Sequence, residues 1–310
     1  MKLSLPTVEG VGPSCLGLPD GEWKNIMEFL EEWFPDIKPS TWTSRMSRGE
    51  VVDGQGIRLR AGSPYRRGTL IFYYRELEGE TPIPFMEDIL YQDDHIIVAD
   101  KPHFLPVVPA GRFLHETLLV RLKKKLKLEH LVPIHRIDRE AAGVVIFSHN
   151  PATRGNYVSL FRKREVKKDY EALARTLQVQ DGRFPLTRCS RIVEGEHFFC
   201  MKEVAGVPNS ETCIDVLKDM GNATLYRLTP VTGKKHQLRV HLAALGIPII
   251  NDRLYPDVQP CEADNVDFPL KLIARAISFQ DPLTGQDRYF ESSREMQRGN
   301  RLKKRGEVYA

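Results

Sequence analysis

The chain has 310 residues, 41% of them hydrophobic and 28% charged, which is typical of a globular protein with one large domain or two ordinary ones. No apolar run approaches the roughly 20 residues that a membrane-spanning helix needs, and the N-terminus lacks the apolar core of a secretory signal. We therefore expect a cytoplasmic protein that does not associate with membranes.

The charge balance is slightly basic, because 45 Lys and Arg residues exceed 41 Asp and Glu residues and leave a net charge of +4. The basic residues also cluster, at residues 123–127, 162–168 and 234–235 and in the tail "RLKKR". Each cluster alone fits a solvated helix face or turn. Several clusters beside unusual motifs favour a polyanionic partner such as nucleic acid.

The cysteines are widely spaced, odd in number and form no CxxC pair. This pattern indicates reduced thiols rather than disulfides or a zinc site. They are Cys15, Cys189, Cys200, Cys213 and Cys261.

The predicted elements begin with a small N-terminal module. Residues 1–18 are rich in Gly, Pro and Ser and are expected to lack fixed structure. A helix follows, with Asp20 as its N-cap and Pro35 at its end. A second short helix, a hairpin around "VDGQG" and a strand in "GTLIFYYREL" complete a module of residues 19–80.

The main body, residues 81–293, is predicted to consist of strands interrupted by a few helices. Strands are expected around residues 89–91, 96–99 and 144–147, in "KKDYEALART", between residues 188 and 230, and in "LKLIARAISF". Helices are expected in "HETLLVRLKKKLKL", from Asn150 through "TRGNYVSLFRKRE", and in "HQLRVHLAALG", which stops at Gly246. Residues 294–310 form a basic tail. Strands outnumber helices without regular βαβ alternation, which predicts an α+β fold with a mixed or antiparallel sheet.

The stretch "VPIHRIDREAAGVVIFSHN" places Asp138 between Arg136 and Arg139, just before an apolar strand. Asp138 is either a loop carboxylate held by its arginine neighbours or a nucleophile or base. A carboxylate in a partly dry site needs an opposite charge within ~4–6 Å to stay ionised. Adjacent residues on an extended chain point to opposite faces, so a partner from elsewhere in the chain would serve better.

The segment "VTGKKHQLRVHLAALG" offers such a partner. A helix would bring His236 and Arg239 together at a three-residue step. Positive charge at its N-terminus suits phosphate, so we expect Lys234, Lys235 and His236 to contact the polyanion. The five-residue spacing of His236 and His241 does not suit a metal site on a helix, and we expect no metal.

Tyr170, in "KKDYEAL", is either a core aromatic or a side chain that stacks on a nucleic-acid base. The sequence has no P-loop, no dinucleotide-binding glycine motif and no nucleophile elbow, so no cofactor is expected. The residues alone therefore predict a basic α+β protein with a candidate site built on Asp, Arg and Tyr.

Five motifs, in order, closely resemble those of the RluA-type RNA pseudouridine synthases. "ILYQDDHIIVADKP" looks like the first motif of that family, "HRIDREAAGVVIF" like its HRLDR signature and "VKKDYEAL" like its K-x-Y segment. "PVTGKKHQLRVHLAALGIPIINDRLYP" is similar to the signature that contains TGR, HQ and RVH, and "LKLIARAISFQDPLTG" to the LHA segment. The matches cover about residues 81–290.

The resemblance implies an eight-stranded mixed sheet with a central cleft, in a monomer that isomerises uridine to pseudouridine in 23S rRNA or tRNA without cofactor or metal. By motif position, Asp138 is the catalytic aspartate and Arg239 its ion-pair partner. Tyr170 stacks on the target base. Arg136 helps to hold the base flipped out of its helix, and Leu272 packs near it. The alternative is a non-catalytic RNA-binding or ribosome-assembly factor with the same fold.

The chain departs from the family pattern at several positions. Ala141 and Ala142 replace the usual Thr/Ser pair, and Lys234 stands where Arg is common. Asn251 replaces the usual Gly before Asp252, and Ile273 replaces the usual His. The N-terminal module resembles a divergent S4 RNA-binding domain through "RGEVVDG", although "YRRGT" lacks the Asp of the later S4 element. A small packing domain without RNA contacts is the other interpretation.

Overall fold

The structure, a computed structural model, describes residues 7–76, 79–177, 184–197, 199–259 and 265–296. The chain divides into two compact units. The first contains Met1–Glu80 and Pro109–His115, and the second contains Thr81–Val108 and Glu116–Ala310. The sequence prediction assigned residues 109–115 to the main body. They group with the first unit because the backbone N–H groups of Leu114 and His115 donate to the Glu80 carboxylate at 2.7 and 2.8 Å.

The first unit has a three-stranded antiparallel sheet in the order β1-β3-β2 and two helices. Its strands are β1 Ser14–Gly17, β2 Val51–Asp53 and β3 Leu70–Tyr73, and its helices are α1 Ile26–Trp33 and α2 Pro39–Ser47. Apolar side chains from all of these elements form one core, in which Phe29, Leu30 and Trp42 have no exposed surface.

Two expectations for this unit are wrong. Residues 14–17 were expected to lack fixed structure, but they form β1, because Leu16 packs against the core and the backbone pairs with β3. The N-cap of α1 is Asn25, not Asp20; its side chain accepts from the Glu28 N–H at 2.9 Å. The predicted hairpin at "VDGQG" is confirmed, because the Asp53 N–H donates to the Ile57 carbonyl at 2.9 Å.

The second unit has an eleven-stranded mixed sheet and three helices within its described residues. The strands run in the order β10-β9-β11-β12-β8-β13-β7-β5-β4, with β14 paired to β13 and β6 paired to β7. They are β4 Asp88–Gln92, β5 Ile96–Lys101, β6 Val132–Pro133, β7 Ala142–Ser148, β8 Lys167–Ala174, β9 Leu186–Glu194, β10 Met201–Val204, β11 Ser210–Asp219, β12 Thr224–Pro230, β13 Leu272–Gln280 and β14 Asp287–Glu291. The helices are α3 Leu118–Leu126, α4 Arg154–Lys163 and α5 Gln237–Ala244.

This arrangement confirms the α+β prediction and the mixed sheet, since β13 and β7 pair in parallel and the other pairs are antiparallel. The expected number of eight strands is wrong for this chain, because short strands such as β6 and β10 add to the sheet. Strands β5 and β7 are buried along their whole length, which explains the apolar runs at residues 96–99 and 144–147.

The contact between β7 and β13 depends on one glycine. Gly143 has a φ of +117°, and a Cβ atom there would lie 2.2 Å from the Ala274 carbonyl oxygen. Only glycine allows both this backbone conformation and this approach. The residue therefore fixes the strand that follows the Asp138 segment against the centre of the sheet.

The helices differ from the predictions mainly at their ends. Helix α4 begins at Arg154 rather than at Asn150, because the Asn150 side chain accepts from the Ala152 N–H and closes a turn instead. Helix α5 ends before Gly246 as predicted, and Gly246 takes a φ of +77°. Cys261 and the tail from residue 297 onward lie outside the described residues. No helix in the described part of the chain has the length and apolar character of a membrane span.

Candidate active site

Asp138 lies in the segment between β6 and β7, and its side chain is about one-quarter exposed. Contacts with β7 and α4 hold the part of this segment that precedes Asp138. The His135 ring accepts from the Ile146 N–H of β7 at 3.1 Å and stacks on Phe161 with ring centroids 4.8 Å apart. The carboxylate is therefore presented to solvent from a fixed backbone.

A buried lysine also stabilises the segment that carries Asp138. The Lys101 ammonium, at the end of β5, donates to the carbonyl oxygens of Pro102, Leu105 and Arg139 at 3.0, 2.7 and 3.1 Å. Burial lowers the pKa of Lys101 well below its ordinary value, against the charge of Glu140. The bond to Arg139 connects the first family motif to the residue that follows Asp138.

Arg239 of α5 is the partner of Asp138 that the sequence analysis sought. Its Nη1 donates to the Asp138 Oδ2 at 3.3 Å, although the two residues are 101 positions apart. The guanidinium has almost no exposed surface. Burial opposes its charge, but the hydrogen bonds and charge of Asp252, together with Asp138, raise its pKa above the ordinary value. Arg239 therefore stays charged and places a buried positive charge beside the Asp138 carboxylate.

Asp252 fixes the orientation of that guanidinium. Its Oδ2 accepts from Arg239 Nε at 2.8 Å and its Oδ1 from Nη2 at 2.6 Å, so the pair is bidentate. Asp252 Oδ1 also accepts from the N–H groups of Leu254 and Tyr255. Because Asp252 occupies Nε and Nη2, Nη1 is the nitrogen that faces Asp138.

Glu140 is a second carboxylate near Arg239. Its Oε2 lies 3.6 Å from Arg239 Nη1, and its Oε1 accepts from Arg139 Nε at 3.1 Å. The neighbouring arginine of the "DRE" sequence therefore pairs with Glu140.

Tyr170 lies on β8 beside the candidate carboxylate. Burial, and then the negative charge of Asp138, raise the pKa of its hydroxyl above the ordinary value. Leu272 lies on the adjacent strand β13, and both residues pack in one cluster with Ala141 and Leu238. The structure thus brings together Asp138, Arg239, Tyr170 and Leu272, while their catalytic and binding roles stay predictions.

The basic residues expected to bind RNA lie at the surface. Arg136 and Lys234 are exposed, and their side chains form no hydrogen bond or ion pair with other described residues. Lys235 is also exposed. His236 differs, because its ring is about nine-tenths buried and points at Asp138, with Nε2 3.9 Å from Oδ1.

The two helix histidines are engaged in separate hydrogen bonds. His241 is buried, and its ring contacts the hydroxyls of Ser190, Ser210 and Thr212 at 2.9 to 3.1 Å. His236 Nδ1 lies 2.8 Å from the Tyr255 hydroxyl. In the part of the chain that the structure describes, no three His, Cys, Asp or Glu side chains are grouped to hold a metal ion.

The departures from the family pattern have structural explanations at two places. Ala141 and Ala142 are buried in apolar surroundings, where the methyl groups pack without needing hydrogen-bond partners. Asn251 takes a φ of +64°, the conformation that explains a glycine at this position, and its side chain donates to the Pro269 carbonyl at 3.0 Å. Asparagine tolerates this conformation better than most residues.

Sequence reasoning missed several residues of this site. Asp252 and Tyr255 were noticed only as part of a motif, and their spacing in "NDRLY" was the available signal. Apart from its place in the "KP" of the first motif, nothing in the sequence indicates that Lys101 belongs to the site, because lysine is rarely buried.

Comparisons with known proteins show the family to which the chain belongs. The family model described as RNA pseudouridylate synthase matches residues 95–244. The chain is 30% identical over 229 residues to the dual-specificity RNA pseudouridine synthase RluA of Haemophilus influenzae, which covers 70% of this chain and 97% of that protein. It is 34% identical over 175 residues to the human pseudouridylate synthase RPUSD2, covering 55% of this chain and 31% of that protein.

The chain thus spans about a third of the length of the human relative. Among solved structures, human RNA pseudouridylate synthase domain containing 4 superposes with a TM-score of 0.52 at 27% identity, covering 66% of this chain and 87% of that one. Human RNA pseudouridylate synthase domain containing 1 has the same fold, with a TM-score of 0.54. Because the similarity to the Haemophilus protein extends over nearly its whole length, this chain belongs to the RluA-type family of RNA pseudouridine synthases.

Proposed function

We propose that the chain isomerises uridine to pseudouridine in structured RNA, with Asp138 as the catalytic residue. The observation that carries the proposal is the ion pair between Asp138 and the buried Arg239, at 3.3 Å, in a chain of this family. The pair sets a buried positive charge beside a carboxylate that is open to a substrate, and every route for this reaction uses such a positioned carboxylate.

The reaction exchanges one glycosidic bond for another. The target uridine leaves its stack, at a cost of about a few kcal/mol that is least in a loop. Asp138 promotes cleavage of the N1–C1′ bond, by attack on C1′ or C6 or by removal of a ribose proton. The uracil turns, the C5–C1′ bond forms, the C5 proton is lost and N1 gains a proton. Pseudouridine is an isomer of uridine, so the reaction consumes no oxidant, reductant or energy source.

Tyr170 and Leu272 would contact the base during this turn. The raised pKa of Tyr170 keeps its hydroxyl protonated at neutral pH, so its ring offers an uncharged face for stacking. Leu272 is buried on the neighbouring strand and supports that face. Arg136, Lys234 and Lys235 are exposed cations that would contact phosphates around the flipped nucleotide.

We also propose that the first unit is an S4-like RNA-binding module. Residues 38–75 contain eight basic and two acidic residues, and most of the basic side chains are exposed. Such a surface supports binding to RNA phosphates. Of the proposed rRNA and tRNA substrates, tRNA is supported by the name of one relative, a mitochondrial tRNA pseudouridine(32) synthase of Saccharomyces cerevisiae, and rRNA stays a prediction. A cytoplasmic location and a monomeric state stay predictions.

Tritium release from RNA labelled at C5 of uridine tests the proposed reaction, because C5 loses its hydrogen only if the new bond forms there. The wild-type protein should release tritium, and Asp138→Asn should release none while still binding RNA. Equal release from both proteins would refute the role of Asp138. RNA binding that weakens steeply with salt, without release from any RNA, would instead indicate the non-catalytic RNA-binding factor.

A further inference from the structure

His236 combines a strained backbone with a buried ring that faces the candidate carboxylate. Its φ of +56° and ψ of +15° place it in the left-handed region, just before the first residue of α5. A non-glycine residue in this region costs of order 1 kcal/mol or more and is retained where the surroundings enforce it. The conformation directs the ring inward, so that Nε2 lies 3.9 Å from Asp138 Oδ1.

The other ring nitrogen of His236 is held by a tyrosine. Nδ1 lies 2.8 Å from the Tyr255 hydroxyl, and the two rings meet edge to face. The same hydroxyl oxygen accepts from the Met201 N–H of β10 at 2.8 Å. These are the two hydrogen bonds of that hydroxyl within the described residues.

These two hydrogen bonds determine where the hydrogens of the His236 ring and the Tyr255 hydroxyl lie. If His236 Nδ1 carried the proton, the Tyr255 oxygen would accept twice and its own hydrogen would have no acceptor among the described residues. If the Tyr255 O–H donates to Nδ1 instead, the hydroxyl both donates and accepts, and the ring proton lies on Nε2. That proton points toward Asp138.

The ring is neutral in this arrangement. Burial lowers the pKa of His236 against the attraction of Asp138 and Glu140, while Arg239 and Lys235 lower it further. A neutral ring with its proton on Nε2 can orient a carboxylate without neutralising it. A phosphate contact, in contrast, would require an exposed or protonated ring.

We propose that His236 is a positioning residue for Asp138, fixed in its Nε2–H form by the Tyr255 hydroxyl. Arg239 donates to Asp138 Oδ2 at 3.3 Å, and His236 Nε2 lies 3.9 Å from Oδ1, so a small movement of the carboxylate would bring both oxygens within reach of a donor. Tyr255 supports both partners, since the Arg239 guanidinium also lies over its ring at 5.3 Å. The expected effect of His236 on the reaction rate rests on the proposed function. The arrangement of the His236 and Tyr255 rings does not depend on that function.

Single-turnover measurements with saturating enzyme separate positioning from RNA binding. His236→Ala should slow the chemical step about tenfold, near the lower limit for a hydrogen bond to a charged group because Nε2 lies 3.9 Å from Asp138, and leave RNA affinity unchanged. His236→Gln should recover most of the rate, because its amide N–H can reach Asp138. His197→Gln, which changes an exposed histidine of the β9–β10 turn, is the matched control and should behave as wild type.

Nitrogen-15 spectra of the histidine rings test the arrangement without any assay of activity. The His236 signals, identified by their loss in His236→Gln, should show a neutral ring with the proton on Nε2. In Tyr255→Phe the preference for Nε2–H should weaken, and the rate should fall in the same direction as in His236→Ala.

Two results would overturn the inference. A His236 ring that is protonated, or that carries its proton on Nδ1, contradicts the arrangement. Weaker RNA binding by His236→Ala with an unchanged rate at saturation contradicts the positioning role. If the wild type forms no pseudouridine, the proposed function fails, but the nitrogen-15 spectra still decide how His236 is held.

Discussion

Replacing Asp252 by Asn should destabilise the protein, because it breaks a buried ion pair with Arg239. The Asp252 side chain has no exposed surface, and it accepts two hydrogen bonds from the equally buried Arg239. In Asp252→Asn an amide NH₂ would replace one acceptor, so that two donors would face each other. The guanidinium would also lose the charge that offsets its burial.

Breaking a buried ion pair on one side costs about 3–5 kcal/mol, because the other charge stays buried without compensation. The remaining attraction of Asp138 and Glu140 for Arg239, at 3.3 and 3.6 Å, places the expected cost toward the lower end of that range. Asp252→Asn should therefore lower the free energy of unfolding by about 3 kcal/mol. The chemical step should slow as well, because Arg239 Nη1 is no longer held toward Asp138.

Urea unfolding followed by circular dichroism measures this free energy, with Asp257→Asn as the control. Asp257 is exposed and lies in the same segment, so its variant should unfold at the wild-type urea concentration. A loss of less than about 1 kcal/mol for Asp252→Asn, the size expected of an exposed pair, would refute the reasoning that Asp252 anchors Arg239.

Gly143→Ala should lower the free energy of unfolding in urea by about 2–4 kcal/mol, because its Cβ would lie 2.2 Å from the Ala274 oxygen and its φ is +117°. Gly155→Ala on α4, where a Cβ atom would meet nothing within 4 Å, is the control and should cost nothing. Burial lowers the pKa of His103 from 6.5 to about 3, so the unfolded chain binds a proton there that the folded chain does not. His103 should contribute about 2 kcal/mol to the fall in stability between pH 7 and 5, and His103→Gln should reduce the fall by that amount. Lys234→Ala should reduce the salt slope of RNA binding by about 0.7–0.9, and an unchanged slope would contradict a phosphate contact.

The sequence locates candidate site residues where one motif carries both the residue and its setting. Asp138 before an apolar strand and Tyr170 within a strand were chosen by pattern and resemblance; the structure places Tyr170 against the cluster that contains Leu272 and Asp138 beside Arg239, and their roles stay predictions. The pairing of Asp138 with Arg239 needed the resemblance, because no local periodicity connects residues 101 positions apart.

The remaining parts of the site depend on tertiary contacts. Lysine is usually exposed, so the three carbonyl contacts of Lys101 could not be anticipated from "ADKP". His236 was assigned to RNA binding because it follows two lysines. Its left-handed backbone, which turns the ring toward Asp138, is visible only in the folded chain.

The pseudouridine content of RNA, measured by chromatography of its nucleosides after incubation with purified protein, tests the central claim most directly. Unmodified rRNA and tRNA should gain pseudouridine with the wild-type protein and gain none with Asp138→Asn of equal stability. Pseudouridine formed at the same rate by Asp138→Asn, or none formed by the wild type in any RNA, would contradict the account.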